Sequence, residues 1–404
     1  MKYDFTSRVD RLGHDAIAVD MPANHEGGFT GYTLKDGYDI IPMWVADMNF
    51  PVLPAIQEAI IERTKHPAFG YFEPRKEYFD RIIDWQTKRN HVHGLEAKHI
   101  GYENGVLGGV VSTLGVLCSR GDNVLLHSPT YIGFTSAIEN AGYHIVHSPL
   151  YKDENNVWRM DYEDMEKKIV ENRIHAAVIC NPYNPCGRVW TREELLRCME
   201  IFEKHNVWVI ADEIWSDLML DHHQHTPVQS VNEYARTHTA AFYAPSKTFN
   251  LAGLIGSYHI IYNDWLRERE QKEASVSWYN AMNVLSMYAL IGAYSKEGYV
   301  WVDELREVLS ANADYAYDYI TRNFEGFELC KPEGTYMLFI DCTKFCKAHD
   351  MDMDTLLRKG WEVGVIWQDG RPFHGDHSIR MNLALPTERV KEAFERLNDN
   401  IFHS

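Results

Sequence analysis

The chain has 404 residues, enough for two domains and a large core, and it is 45% hydrophobic and 13% aromatic, ordinary globular composition. Its formal charge of −18 excludes a general affinity for nucleic acid or anionic membrane, though not a local anion pocket. No apolar run approaches the roughly 20 residues that span a bilayer and the N-terminus has no apolar signal core, so a cytoplasmic protein is expected, with its seven cysteines as reduced thiols.

In chain order, residues 1–50 are loop-rich and end in the apolar, proline-punctuated run 40–51. Helices are predicted over 54–65, with Pro54 at the start, and through the amphipathic set Tyr78, Phe79, Ile82, Ile83 and Trp85. Helices at 105–118, 132–141 and 160–171 then alternate with strands at 123–127, 143–148 and 176–180. A further helix opens at Thr191-Arg192-Glu193-Glu194, a capping-box pattern, and strands follow at 207–211, 239–243 and 256–262. This alternation implies an α/β domain with a mostly parallel sheet covered on both faces. After about residue 290 the pattern changes to a long helix over 302–323, strands at 335–341, 364–367 and 378–383, and a final helix from Thr387, which reads as a second, α+β domain.

Several strand ends carry chemistry. Between the strands at 239–243 and 256–262 lies Pro245-Ser246-Lys247-Thr248, read as a turn; its lysine is either a solvated surface charge or a desolvated, nucleophilic amine. Asp212 closes the strand at 207–211, where open α/β sheets bind ligands, or else caps the next helix. Asn181-Pro182-Tyr183-Asn184-Pro185 is a rigid, extended turn that can hold an amide towards a ligand, or a plain turn. Gly105-Val106-Leu107 opens a helix, where free N–H groups suit a phosphate, although glycine there also serves packing. Tyr131 could stack on a flat ring or sit in the core. Arg380, in an apolar strand, calls for a bidentate carboxylate partner unless it lies at a strand edge. Asp221-His222-His223-Gln224-His225 lacks a second ligand cluster, so no metal is expected, and Cys342 and Cys346 are read as buried thiols on one helical face.

Together the stretches PMWVADMNF (42–50), FGYFEP (69–74), NPYNPCGRVW (181–190), ADEIWSDL (211–218), SKTFNLAGL (246–254) and RMNLALP (380–386) resemble the fold-type I pyridoxal-phosphate (PLP) enzymes of aminotransferase class I/II. The likeness is closest to their cystathionine β-lyase (MalY/PatB-type C–S lyase) branch and covers nearly the whole chain. It implies a large PLP-binding domain over 51–289 with a seven-stranded sheet, and a small domain formed by 1–50 with 290–404. Lys247 would attach to the cofactor aldehyde and act as acid and base at Cα, Asp212 would pair with the pyridine nitrogen, and Asn184 would bond the ring oxygen. Tyr131 and Ile214 would sandwich the ring, with Trp215 beside it. Gly105, Val106, Leu107 and Ser246 would hold the phosphate, joined by Tyr71 from the other subunit of a homodimer. Arg380 would bind the substrate carboxylate. The implied reaction is β-elimination from cystathionine or a related cysteine S-conjugate, giving thiol, pyruvate and ammonia; transamination with a 2-oxo acid shares every cofactor residue. The sequence departs from the branch at Trp215 (usually His), Asn49 (Asp), Ala244 (often Ser) and in 11–37, which lacks the usual Lys-Trp-Asp stretch and should cover the substrate pocket.

Overall fold

A computed structural model describes residues 1–276 and 279–403. Its centre is a seven-stranded sheet: β1 (Ile100–Glu103), β2 (Asn123–Ser128), β3 (His144–Pro149), β4 (Ala176–Cys180), β5 (Trp208–Asp212), β6 (Thr239–Tyr243) and β7 (Ser257–Ile260). The spatial order is β1-β7-β6-β5-β4-β2-β3. Strands β6 to β3 run parallel, whereas β7 is antiparallel to both its neighbours. The middle strands are buried throughout (Ala176–Cys180 and Thr239–Tyr243), as continuous apolar runs covered on both faces require.

The helices that concern the site are α1 (Pro54–Thr64), α2 (Lys76–Arg89), α3 (Val106–Leu117), α4 (Ile132–Asn140), α5 (Tyr162–Glu171) and α6 (Arg192–His205), followed by α7 (Asp264–Ser275), α8 (Val284–Ala293), α9 (Lys296–Asn323) and α10 (Thr387–Leu397). The predicted capping box is present: Thr191 accepts from the Glu194 amide while the Glu194 carboxylate accepts from the Thr191 amide. Capping also explains two shifted boundaries. Helix α5 starts at Tyr162 rather than 160 because Asp161 accepts the Asp164 N–H. Helix α9 starts at Lys296 rather than 302 because Ser295 caps it, accepting from Gly298. Helices α7 and α8 have no counterpart in the sequence reading; α8 is apolar almost all round, which hides any helical period.

A second, antiparallel sheet has the order β8 (Glu328–Leu329), β9 (Met337–Asp341), β11 (Ser378–Asn382), β10 (Gln368–Asp369). The N-terminal run joins this part of the chain: Ile41–Pro42 pairs in parallel with Val365–Ile366. Residues 43–50 then pass between the two sheets, held by the amide of Asn382, which donates to the carbonyls of Val45 and Asp47. Cys342 and Cys346 are buried as expected, although Cys342 caps the helix Thr343–Ala348 rather than lying within it.

Candidate active site

The ends of β4, β5 and β6 open on one cavity of about 290 Å³. Register places Cys180 opposite Asp212 and Asp212 opposite Phe242, so the carboxylate stands at the carboxyl edge of the sheet. Asp212 is 5% exposed, and its Oδ1 accepts the N–H of Ile214 at 3.0 Å. Burial pushes its carboxyl up to about 7, against the opposing pull of that amide and of Lys247. A carboxylate in this position is stabilised by a cationic partner.

Lys247 lies in the cavity wall, on the one-turn helix Pro245–Thr248 that replaces the predicted turn. Its Nζ donates to the Ala46 carbonyl at 2.9 Å and lies 5.6 Å from the centre of the Trp215 ring. Burial and, after it, the positive charge of Arg380 push the amine down to about 8, so it gives up its proton far more readily than a surface lysine. Two anchors fix this turn. Thr248 donates to Asp217, which also accepts from the Trp85 indole, and Asn250 exchanges two 2.9 Å hydrogen bonds with the backbone of Met48.

Gly105 precedes α3 with φ +80°, a conformation that favours glycine, and a Cβ there would meet nothing within 4 Å. The first amides of α3, at Val106 and Leu107, border the cavity with Ser246 and form an open, electropositive cradle suited to a phosphate. Tyr131 and Ile214 also line the cavity. Gly133 leaves room for the tyrosine ring, since a Cβ at 133 would come within 2.4 Å of it. Trp215 borders the same space and packs edge-on against Tyr336, whose hydroxyl donates to the same Ala46 carbonyl that Lys247 uses.

Arg380 occupies an inner strand, β11, and is 3% exposed, which removes the strand-edge reading. Among the described residues its guanidinium meets only neutral acceptors: Asn184 Oδ1 at 3.0 Å, the Trp44 carbonyl at 3.0 Å and Gln368 Oε1 at 2.5 Å. The Phe373 ring lies 4.4 Å away, and Nε has no partner among the described residues. The expected carboxylate partner is therefore not found among the described residues. A buried cation without a counter-ion is costly, and burial pushes this guanidinium down to about 10; a carboxylate ligand would relieve that cost. Because Asn184 uses its oxygen on Arg380, its amide nitrogen is the group it has left to donate in the cavity that it lines.

Tyr71 does not join this cavity; it is fully exposed on the single chain. The sequence reading also missed the residues that hold the site: the Ala46 carbonyl, Asn250, Gln368 and Tyr336. Ala46 and Asn250 lay inside recognised motifs, whereas Gln368 and Tyr336 carry no local signal. The segment 11–37 does reach the site's edge. Arg11 pairs with Asp47 at 2.5 Å and donates to Asn49 Oδ1 at 2.8 Å, while the Trp44 indole donates to the Ala18 carbonyl.

The fold and the cavity define an enzyme of the PLP fold-type I class. The chain belongs to the aminotransferase class I and II family, whose sequence model matches residues 38–397. It is 31% identical to cystathionine β-lyase PatB of Bacillus subtilis (strain 168) over 98% of both chains. Among solved structures, it superposes on the PLP-bound C–S lyase of Staphylococcus hominis with a TM-score of 0.87, at 28% identity over 99% of this chain and 98% of that one. Cystalysin from Treponema denticola, which contains pyridoxal 5′-phosphate, gives a TM-score of 0.89 at 28% identity over 99% of both.

Proposed function

We propose that the chain is a PLP-dependent C–S β-lyase that cleaves L-cystathionine, or a related cysteine S-conjugate, to a thiol, pyruvate and ammonia. The observation that carries this reading is the convergence of the Lys247 amine and the Asp212 carboxylate on one cavity, backed by Arg380, which holds the cavity residue Asn184 and has no counter-ion among the described residues. Bound PLP supplies an electron sink for the charge left at the substrate Cα when its proton is removed. Asp212 keeps the ring nitrogen protonated, and Tyr131 and Ile214 confine the ring between them. The amides of Val106 and Leu107, with Ser246, hold the phosphate. Arg380 orients the substrate by its α-carboxylate, so that Lys247 can take the Cα proton on Nζ. Likeness to PatB over nearly the full length of both chains favours elimination over transamination.

A second copy of the chain contributes Tyr71 to the phosphate end of the site; its full exposure in the single chain supports that placement and a homodimer. The two-domain division at 51–289 and 1–50 with 290–404 is supported by the two separate sheets. A cytoplasmic location is supported by seven free cysteines and by the lack, among the described residues, of a helix long and apolar enough to cross a membrane. Incubating the purified holoenzyme with L-cystathionine and no 2-oxo acid tests the reaction. Equal amounts of pyruvate and free thiol are expected. Turnover that requires an added 2-oxo acid would instead make the enzyme an aminotransferase.

A further inference from the structure

A second charged cluster is sealed within the protein where β1 and β7 meet α3 and α7. Glu103 ends β1, two residues before Gly105; His259 lies in β7, paired across the strands with Gly101; Glu270 lies on α7, which packs on α3. Glu103 and Glu270 are 0% exposed and His259 is 2% exposed. The three side chains bring one ligand-capable atom each within 4.8 Å of one another.

The hydrogen bonds inside the cluster are incomplete in an ordered way. His259 Nδ1 donates to Glu103 Oε1 at 2.6 Å, and the other Glu103 oxygen accepts from the Asn280 amide at 2.8 Å. Among the described residues, neither oxygen of Glu270 has a partner, nor does His259 Nε2 or the Thr113 hydroxyl. Glu103 is thus satisfied, whereas Glu270 is an enclosed carboxylate with no partner among the described residues, which is costly to leave as it stands. A carboxylate that accepts the Nδ1–H hydrogen bond of a neutral imidazole leaves Nε2 with its lone pair free, the arrangement that orients histidine towards a metal. The backbone is built around this ring: a Cβ on Gly101 would lie 2.3 Å from its Cε1 and Nε2 atoms.

We propose that Glu270 and His259, with Glu103 orienting the imidazole, bind a divalent transition-metal cation of the zinc class. Two carboxylates and a neutral imidazole balance a double positive charge, and mixed oxygen and nitrogen ligands suit such an ion. Glu270 supplies two oxygens from α7 and His259 one nitrogen from β7, while Glu103 fixes the imidazole from the strand that leads into the Gly105 turn. The ion would tie α7 to the sheet edge immediately behind the helix whose first amides face the catalytic cavity. It takes no part in the chemistry there.

The test is metal content, read by plasma mass spectrometry on holoenzyme made without an affinity tag, equilibrated with Zn²⁺ and passed over chelating resin. Wild type should retain about one ion per chain, and Glu270→Gln about a tenth of that or less. A variant with His222→Ala and His223→Ala, which removes two exposed histidines from the His-rich loop, should keep the ion. Should Glu270→Gln fail to fold, Glu103→Gln takes its place, with Zn²⁺ affinity about 10–100-fold weaker in competition with a chromogenic chelator. The proposal is overturned by wild type without a retained ion, by an unchanged ion in the Glu270 or Glu103 variant, or by its loss in the surface-histidine variant.

Discussion

The cavity and the arginine cluster behind Asn184 handle buried charge in different ways. The proposed cofactor half is built at consecutive strand ends of a single sheet. There an acid, Asp212, is enclosed with one backbone N–H at 3.0 Å and a lysine nearby. The substrate half is assembled from distant stretches, Trp44, Asn184, Gln368 and Arg380, and there a cation is enclosed among neutral oxygens. Each half holds a charge that no described residue fully neutralises. The site is therefore electrostatically incomplete, and a ligand that brings the opposite charge would complete it.

The largest effect is expected from the group between the halves. Lys247→Ala should abolish the visible absorbance of the lysine-linked cofactor and lower β-elimination by about 10⁴-fold, the upper range for a general acid–base group. Spectra and pyruvate release check both. Arg380→Ala should cost about 3–4 kcal/mol of kcat/KM, roughly 10²–10³-fold, by removing a desolvated carboxylate contact. It should also raise the pH at which the cofactor-free enzyme takes up PLP at half its maximal rate. That midpoint is expected near 8 in wild type, and Arg380 is one of the groups that depress the Lys247 amine.

Asp212→Asn separates the halves by stability. Below about pH 4 the carboxyl is protonated whether the chain is folded or not, and the substitution should be neutral. As pH rises from there to about 7, the unfolded chain ionises first, so the cost of the buried acid grows. Above that range the cost is constant, and the cofactor-free variant should exceed wild type by about 4 kcal/mol. Urea denaturation at pH 4 and pH 8 measures the difference, and PLP should reverse its sign by stabilising only the wild type strongly. The smallest effect is expected at Arg11→Ala. Loss of the part-buried pair with Asp47 should lower kcat/KM by about tenfold or less, with the absorbance band unchanged.

The same contrast explains what could be read from the sequence. Lys247, Asp212, Asn184, Tyr131 and the Gly105 turn are each local: a short polar motif directly after an apolar strand, which topology carries to one edge. The supports are not local. Lys247 donates to a carbonyl 201 positions away, the Asn250 bonds to Met48 cross a similar gap, and Gln368 reaches Arg380 only because β10 and β11 pair. Ala46 lies in a recognised motif, but a contact made by its backbone carbonyl does not depend on the identity of its side chain. The carboxylate expected beside Arg380 is absent among the described residues, which is why the guanidinium meets only neutral oxygens there. Tyr71 lies outside the cavity and is fully exposed on the single chain.

Borohydride reduction of the PLP-loaded enzyme, followed by proteolysis and mass spectrometry, tests the central claim most directly. The added phosphopyridoxyl mass should fall on the peptide that carries Lys247. The same mass on any other lysine would contradict the assignment of this cavity as the active site.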